Sequence, residues 1–244
     1  MSSLDGNLVK KAHAKESYTD EQLLELAKCA DPDTGPAYFL ESYFWIQHPR
    51  RGRIRYHAYE YQKRLLESYH THRFSVNMMP RQTGKTTTAA GYLLWHAMFK
   101  PDSTILVAAH KYAGSQEIMQ RIRYSYEDVP DFIRPGVYSY NKGSIDFDNG
   151  SRIVSTTTTE NTGRGLSISL LYLDEFAFVK PSIAKEFWTS ISPTLATGGG
   201  AIITSTPNSD EDQFAMIWRE ANKTIDEHGH QTDLGRNGFF AFRA

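Results

Sequence analysis

Apolar residues occur along the chain in two patterns, a helical spacing and short continuous runs, and these patterns predict alternating helices and strands. Spacings of three to four predict helices in EYQKRLLESYH, in SQEIMQRIRYSY, near residues 212–223, and after Gly84, where one face holds Ala89, Ala90, Leu93, Leu94, Ala97 and Met98. Short apolar runs predict buried strands in FSVNMM, TILVAAH, SLLYLDEF and GAIITSTPN. The alternation predicts an α/β fold with a doubly wound, mainly parallel sheet and right-handed crossovers.

The first 45 residues have a different pattern, which predicts a polar tail and a small helical appendage. Thr19 and Gln22 are spaced as a capping box at the start of DEQLLELAKCA, which predicts a helix. The aromatic segment AYFLESYFWI follows the DPDTGP breaker, and we expect it to be helical as well. We therefore divide the chain into the tail and appendage, residues 1–45, and the core, residues 46–244.

A hairpin is predicted in GSIDFDNGSRIVSTT, within the core. Two strand-like runs flank Asn149 and Gly150, a pair of residues that readily takes the positive φ angles of a tight turn. We expect these two runs to pair with each other.

Composition excludes several classes of protein. The 244 residues carry a formal net charge of −1, so any contact with nucleic acid must come from a local patch. No apolar run approaches the ~18–20 residues that span a bilayer, and the N-terminus lacks the apolar stretch of a secretory signal. Cys29 is the single cysteine, which excludes a disulfide framework or a cysteine zinc site. Together these features favour a reducing, cytoplasmic compartment.

The segment HPRRGRIRY is strongly basic, and it has two interpretations. Its four arginines either contact DNA phosphates or belong to a solvated strand edge that leads into the next helix. We favour the second interpretation, because basic runs in loops are usually solvated.

The segment MPRQTGKT has the features of a phosphate-binding loop. A predicted strand precedes it and a helix follows, although Met79 stands where such loops usually carry their first glycine. Gly84 lets the backbone approach a phosphate, Lys85 reaches the β- and γ-phosphate oxygens, and Thr86 holds Mg²⁺. The alternative is that Gly-Lys-Thr only caps the helix. The strand before and the helix after favour a nucleotide site.

Two acidic residues, Asp174 and Glu175, end the apolar strand of LLYLDEF. Ligands of open α/β sheets bind at the carboxyl ends of the strands, which is where this pair falls. Asp174 suits a metal ion or its bound water, and Glu175 suits the polarisation of an attacking water. The alternative is a solvated strand end, and the buried strand favours catalysis.

The strand AIITSTPN ends in Ser205, Thr206 and Asn208, which are polar and close to the same predicted edge. Their hydroxyl or amide groups are placed to sense a γ-phosphate or water. The alternative is an ordinary turn closed by Pro207.

Two arginines are candidates for stabilising charge on a transferring phosphate. Arg81 lies inside the phosphate loop and is placed to act within its own chain. Arg164 is flanked by glycines before the acidic strand and is placed to reach a neighbouring subunit. Both arginines alternatively serve structure or DNA contact.

The motifs and their order along the chain resemble those of the ATPase domain of the large terminase subunit of tailed bacteriophages, the motor that packages DNA. The resemblance is carried by YEYQ, RQTGKTT, PDFIRPG, NKGSIDFDNGSRI, TGRGLSISLLYLDEFAF and ITSTPN, across residues 46–218. It implies a RecA-like P-loop NTPase sheet of the type with an additional strand and a catalytic glutamate.

The resemblance also implies roles for individual residues. Tyr61 and Gln62 would contact adenine, and Asp174 and Glu175 would be the metal-side and catalytic acids. Ser205 and Thr206, with the neighbouring Asn208, would couple hydrolysis to movement. The phosphates and Mg²⁺ would be held by Arg81, Gln82, Thr83, Gly84, Lys85, Thr86 and Thr87. Arg81 and Arg164 match the positions of arginine fingers acting in cis and in trans.

The implied function is Mg²⁺-dependent ATP hydrolysis that moves double-stranded DNA into a prohead. The implied partners are the portal, the small terminase subunit and further copies in a ring, in the cytoplasm of the infected host. Terminases of this type continue into a nuclease domain, which we do not expect in these residues. Two alternatives are a helicase-type ATPase and a nucleotide-gated assembly module with vestigial hydrolysis.

Overall fold

A computed structural model describes residues 8–159, 162, 165–226 and 228–244. A hairpin of β1 (Trp45–His48) and β2 (Gly52–Arg55) stands apart from a sheet of eight strands. These are β3 (Phe74–Met78), β4 (Thr104–Ala109), β5 (Val137–Tyr140), β6 (Ser144–Phe147), β7 (Arg152–Thr157), β8 (Leu170–Asp174), β9 (Gly200–Ser205) and β10 (Phe240–Arg243).

The sheet has the order β10-β3-β9-β8-β4-β7-β6-β5. The pairs from β10 through to β7 are parallel, and β6 is antiparallel to both β7 and β5. Strand β9 lies between the phosphate-loop strand β3 and the acidic strand β8, so the prediction of an additional-strand sheet is confirmed. The predicted hairpin at Asn149 and Gly150 is also confirmed, as the turn between β6 and β7.

Seven α-helices are described, and they cover both faces of the sheet. They are α1 (Asp20–Ala30), α2 (Gly35–Tyr43), α3 (Glu60–Thr71), α4 (Lys85–Phe99), α5 (Tyr112–Tyr126), α6 (Pro181–Ile191) and α7 (Gln213–Ala221). Short 3-10 turns follow β8 at Phe176–Phe178 and follow α6 at Ser192–Leu195. None of the described helices is long and apolar enough to cross a membrane.

Helix α4 is buried on more than the one predicted apolar face. Tyr92 and Trp95 are also buried, because α2, α3 and α5 all pack around this helix. A Cβ added at Gly91 would lie 3.0 Å from the Leu40 side chain, so α2 approaches α4 closely. The helix that carries the phosphate loop is therefore fixed on several sides.

The N-terminal appendage contains the predicted capped helix, with Thr19 and Gln22 bonding reciprocally at the start of α1. The segment AYFLESYFWI is only partly helical: α2 ends at Tyr43, and Trp45 begins β1 instead. The pairing of β1 with β2 explains the difference, because Gly52 at φ 66° turns the chain back and aligns Trp45 with Arg55.

The hydrophobic core has two clusters, and different helices pack against the sheet in each. One cluster contains Leu40, Leu93 and Ile118, so the appendage packs into the same core as α4 and α5. The other contains Phe187 and Phe214, beneath α6 and α7. The Trp95 indole also donates to the Cys29 carbonyl of α1 at 2.8 Å. The domain boundary at residue 45 stays a prediction.

Candidate active site

The predicted phosphate loop, acidic pair and polar residues after β9 lie at the carboxyl ends of β3, β8 and β9, which are adjacent in the sheet. In the strand register Met78 pairs with Ser205, and Asp174 pairs with Thr204. The phosphate loop, the acidic pair and the polar end of β9 therefore open on one edge. This is the edge at which parallel sheets bind ligands.

The phosphate loop turns without a glycine at its first position. Met79 does not have a positive φ angle, and the left-handed residues of the loop are Gln82 at φ 62° and Gly84 at φ 73°. The Met79 side chain is fully buried, and its N–H donates to the Ser205 carbonyl at 3.0 Å. A large apolar side chain thus fits here because the backbone is ordinary and the side chain belongs to the core.

Tyr61 and Gln62 contact the phosphate loop itself. The Tyr61 hydroxyl and the Gln62 amide both donate to the Thr83 carbonyl, at 3.0 and 2.9 Å. The Gln62 carbonyl oxygen accepts from the Tyr59 N–H at 3.0 Å. A Cβ at Gly84 would lie 2.5 Å from the Gln62 amide nitrogen, so this glutamine packs directly on the loop. Adenine contact by Tyr61 and Gln62 stays a prediction.

Lys85 joins the phosphate loop to the acidic pair. Its ammonium nitrogen lies 2.7 Å from Glu175 Oε1, and the lysine is only 5% exposed. Lys85 is the first residue of α4, and Glu175 directly follows β8, so two separate elements supply the pair. A buried ammonium needs such a partner, because burial of an unpaired charge is costly.

Glu175 is held in a sparsely populated conformation. Its φ and ψ angles are 51° and 44°, in the left-handed region that non-glycine residues rarely adopt. Its Oε2 accepts from the Thr206 N–H at 3.1 Å, the Thr206 hydroxyl at 3.0 Å and the Ser205 hydroxyl at 3.3 Å. Backbone strain of this kind persists where surrounding contacts enforce it, and it is concentrated at functional sites.

The two neighbouring carboxyl groups have opposite pKa shifts. Burial acts to raise the pKa of Glu175, but hydrogen bonds from Lys85 and Thr206 outweigh it and hold the pKa below its ordinary value. Burial, followed by the charge of Glu175, raises the pKa of Asp174 to about 6. Glu175 is therefore the more firmly ionised of the two, and the hydrogen bond from Lys85 weakens it as a base for as long as that bond is made.

Asp174 is oriented by the tyrosine two residues earlier on the same face of β8. The hydroxyl of the fully buried Tyr172 donates to Asp174 Oδ1 at 3.0 Å. Burial raises the pKa of Tyr172 far above its usual range, so the hydroxyl remains a donor. The bond engages one of the two carboxylate oxygens of Asp174.

The polar end of β9 binds the segment that contains Glu175. Besides the Thr206 bonds, the Ser205 hydroxyl accepts from the Ala177 N–H at 3.2 Å. The Asn208 amide donates to the Ala177 carbonyl at 3.2 Å. All three predicted coupling residues therefore form hydrogen bonds with residues 175–177, which join this segment to the end of β9.

The donor set fits a magnesium ion better than a metal that needs several protein ligands. Thr86 and Asp174 offer hard oxygen atoms, and among the described residues no group of three or more His, Cys, Asp or Glu could hold a metal. Mg²⁺ commonly takes one or two protein oxygens and completes its shell with phosphate and water. These residues match that coordination.

The candidate arginine fingers are in different positions. Arg81 is exposed, with its guanidinium 5.9 Å from the centre of the Phe178 ring just past Glu175. Arg164 lies outside the described residues. The structure adds an arginine that the sequence analysis did not identify: Arg121 of α5 donates to the Thr87 hydroxyl of the phosphate-loop helix at 2.8 Å.

Tyr172 and Arg121 were missed for different reasons. Tyr172 gave a usable signal, since it lies two residues before Asp174 on a strand and shares its face. Arg121 gave none, because only the packing of α5 on α4 brings it to Thr87.

The chain is similar to known terminases. Residues 76–231, more than half of the chain, match the family described as terminase large subunit, T4likevirus-type, N-terminal. The fold is similar to the large terminase ATPase domain of Thermus phage P74-26, at 21% identity and a TM-score of 0.61, covering 78% of this chain and 81% of that one.

Two longer solved structures have the same fold. The large terminase of bacteriophage HK97 matches at 17% identity and a TM-score of 0.68, over 85% of this chain and 43% of that one. The large terminase of a thermophilic bacteriophage matches at 11% identity and a TM-score of 0.56, over 75% of this chain and 45% of that one. The present chain thus spans less than half the length of these two proteins.

Proposed function

The chain belongs to the family of terminase large subunits, T4likevirus-type, N-terminal. On this basis we propose that it hydrolyses ATP to drive the packaging of double-stranded viral DNA. ATP binds the phosphate loop between β3 and α4, and water attacks the γ-phosphate beside Glu175. The end of β9 passes the resulting movement to the rest of the protein.

The contact between Lys85 and Glu175 is the observation that carries this proposal. Residues far apart in the chain place an ammonium and an ionised carboxylate 2.7 Å apart at the start of α4. A γ-phosphate bound by Lys85 competes with Oε1 for the ammonium. Glu175 Oε1 is then released to accept a proton from water, while Oε2 stays anchored by Thr206.

Mg²⁺ is proposed as the cofactor, held by Thr86 and Asp174. A bound Mg²⁺ neutralises charge that develops on the phosphate oxygens. A divalent cation also favours the ionised form of Asp174, against the burial that raises the pKa of this carboxyl. Tyr172 keeps Asp174 in position through its hydrogen bond.

Further nucleotide contacts are proposed from the resemblance and from the position of each side chain. Tyr61 and Gln62 lie against Thr83 and are proposed to contact adenine beside the loop. Arg81, exposed above Phe178, is the proposed finger in cis. Arg164 is the proposed finger in trans. Gln82, Thr83, Gly84 and Thr87 complete the phosphate-binding segment.

The wider assembly is proposed from the family alone. We propose double-stranded DNA, the portal of the prohead and the small terminase subunit as partners, and a ring of copies of this chain as the working form. The proposed compartment is the cytoplasm of the infected bacterium. We propose no nuclease activity for these residues.

The test measures the rate of phosphate release from ATP, in the presence of Mg²⁺, at increasing protein concentration. The variant Glu175→Gln is the blank. Turnover that depends on Glu175 supports the ATPase. Turnover per chain that rises steeply with concentration favours Arg164 of a neighbouring copy, whereas a constant value favours Arg81. Turnover unaffected by Glu175→Gln would reject the proposed catalytic role and favour the assembly module.

A further inference from the structure

The first turn of α4 has a cationic neighbour that no motif indicates. Arg121 lies on α5, and its Nη1 donates to the Thr87 hydroxyl at 2.8 Å. Its Nη2 donates to Glu117 Oε1 at 2.6 Å, four residues earlier on the same helix. Glu117 therefore holds the guanidinium at the side of the phosphate-loop helix.

Thr87 lies next to the place where a phosphate binds. The first N–H groups of a helix lack intrahelical acceptors and form an anion site. In α4 the Thr88 N–H already donates to the Gly84 carbonyl at 2.9 Å, so the N–H groups directed at a ligand precede it. They belong to Lys85, Thr86 and Thr87. A phosphate bound there lies beside the Thr87 side chain and so within reach of the Arg121 guanidinium.

Arg121 has donor capacity that its present contacts do not use. Its Nε is buried and has no hydrogen-bond acceptor among the described residues. The guanidinium also borders a cleft of about 400 Å³ between the β1–β2 hairpin and α5, and its side chain is 39% exposed. Glu117 and Thr87 thus each hold one terminal nitrogen of the guanidinium, while part of the side chain remains accessible from the cleft.

We propose that Arg121 binds the α-phosphate of the nucleotide, in cis. Lys85 serves the terminal phosphates and Thr86 the metal ion, so the α-phosphate is the group left beside Thr87. Arginine suits this role, because its planar fork of donors matches two phosphate oxygens. The inference rests on the proposed function and adds a contact separate from Arg81 and Arg164.

The experiment measures ADP and AMP binding by calorimetry, with Arg121→Gln, Arg121→Lys and Arg123→Gln. Arg123 is the matched control: it is on the same helix, has a buried Nε without an acceptor among the described residues, and lies over the Tyr140 ring. We expect Arg121→Gln to weaken ADP about 10- to 100-fold, as for the loss of a charge-assisted hydrogen bond. AMP is expected to weaken by a similar factor, since both ligands carry the α-phosphate.

The controls separate this inference from the proposed function. Arg121→Lys keeps the charge without the fork, so we expect intermediate affinity, and Arg123→Gln is expected to stay within about twofold of wild type. Unchanged ADP affinity in Arg121→Gln overturns the inference and leaves the ATPase intact. If Arg121→Gln does not fold, wild-type affinity in Arg121→Lys overturns it instead. If the wild-type protein binds ADP no better than Lys85→Ala does, the nucleotide site itself is rejected.

Discussion

The phosphate loop and the acidic end of β8 meet in one site but are built in different ways. The loop has two left-handed residues close together in sequence, Gln82 and Gly84. The conformation of Glu175 is instead held by Lys85 and Thr206, which come from other elements. The proposed phosphate-binding part thus has its left-handed residues close together in sequence, whereas residues of other elements hold the proposed water-activating glutamate.

The same difference separates two kinds of functional loss. A change in the loop should remove nucleotide binding, whereas a change around Glu175 should leave binding and reduce hydrolysis. Lys85 belongs to both regions, because its ammonium pairs with the carboxylate and is proposed to bind the phosphates. The following variants test this separation.

The largest contrast is expected between Lys85→Ala and Glu175→Gln. Lys85→Ala removes the buried cation and should weaken ADP binding about 100-fold. Glu175→Gln should lower turnover about 10²- to 10⁴-fold through loss of the base, while ADP affinity stays equal or rises, because Lys85 loses its competing partner. Calorimetry and phosphate release measure the two effects. Equal loss of ADP binding in both variants would contradict the separation.

Gly84→Ala tests the tight packing of Gln62 on the loop at its left-handed glycine. The new Cβ would lie 2.5 Å from the Gln62 amide at a positive φ angle, so we expect ADP affinity to fall at least about tenfold. Gly198→Ala is the control, because Gly198 also has a positive φ angle, 114°, but a Cβ there meets nothing within 4 Å. Similar ADP affinities in the two variants would show that the contact with Gln62 is not needed.

Thr206→Val tests the anchor on Glu175 Oε2. The substitution removes a 3.0 Å hydrogen bond from the hydroxyl but keeps the side-chain shape and the backbone N–H. We expect turnover to fall about tenfold, as for the loss of a bond to a charged group, with ADP affinity unchanged. Thr206→Ser should restore turnover. A fall in ADP affinity instead would place Thr206 on the binding side of the site.

Tyr172→Phe should give the smallest effect. It removes only the hydroxyl that donates to Asp174, so the Mg²⁺ concentration that half-saturates ADP binding should rise about fivefold. Tyr69→Phe is the control, since its hydroxyl lies 3.4 Å from the Thr204 hydroxyl and is therefore placed to bond that hydroxyl. A Mg²⁺ titration followed by calorimetry measures both, and equal shifts would argue against a specific role for Tyr172.

The sequence predicted the parts of this fold that depend on local pattern. The buried strands, the Thr19 capping box and the turn at Gly150 formed as expected, because apolar runs, caps and positive φ angles are properties of neighbouring residues. The helix α6 and the edge strands β5 and β10 were not anticipated. They are short or weakly patterned and become defined by what they pack against.

The sequence predicted which strand ends meet but not the contacts that the side chains make there. Lys85, Asp174 and Ser205 fall at strand ends that a parallel sheet brings together. The bonds that Tyr61 and Gln62 make with Thr83 depend on how α3 packs, which the pattern does not encode. The conformation of Glu175 likewise depends on its distant partners.

The pairing of β10 with β3 has a mechanical consequence. Phe240 to Arg243 run parallel to Ser75 to Met78, in matched register. A load along β10 is shared by the whole ladder at once, whereas a load across it would open the hydrogen bonds one by one. Tension on these residues along the strand axis therefore acts in shear on β3. The phosphate loop directly follows the carboxyl end of β3.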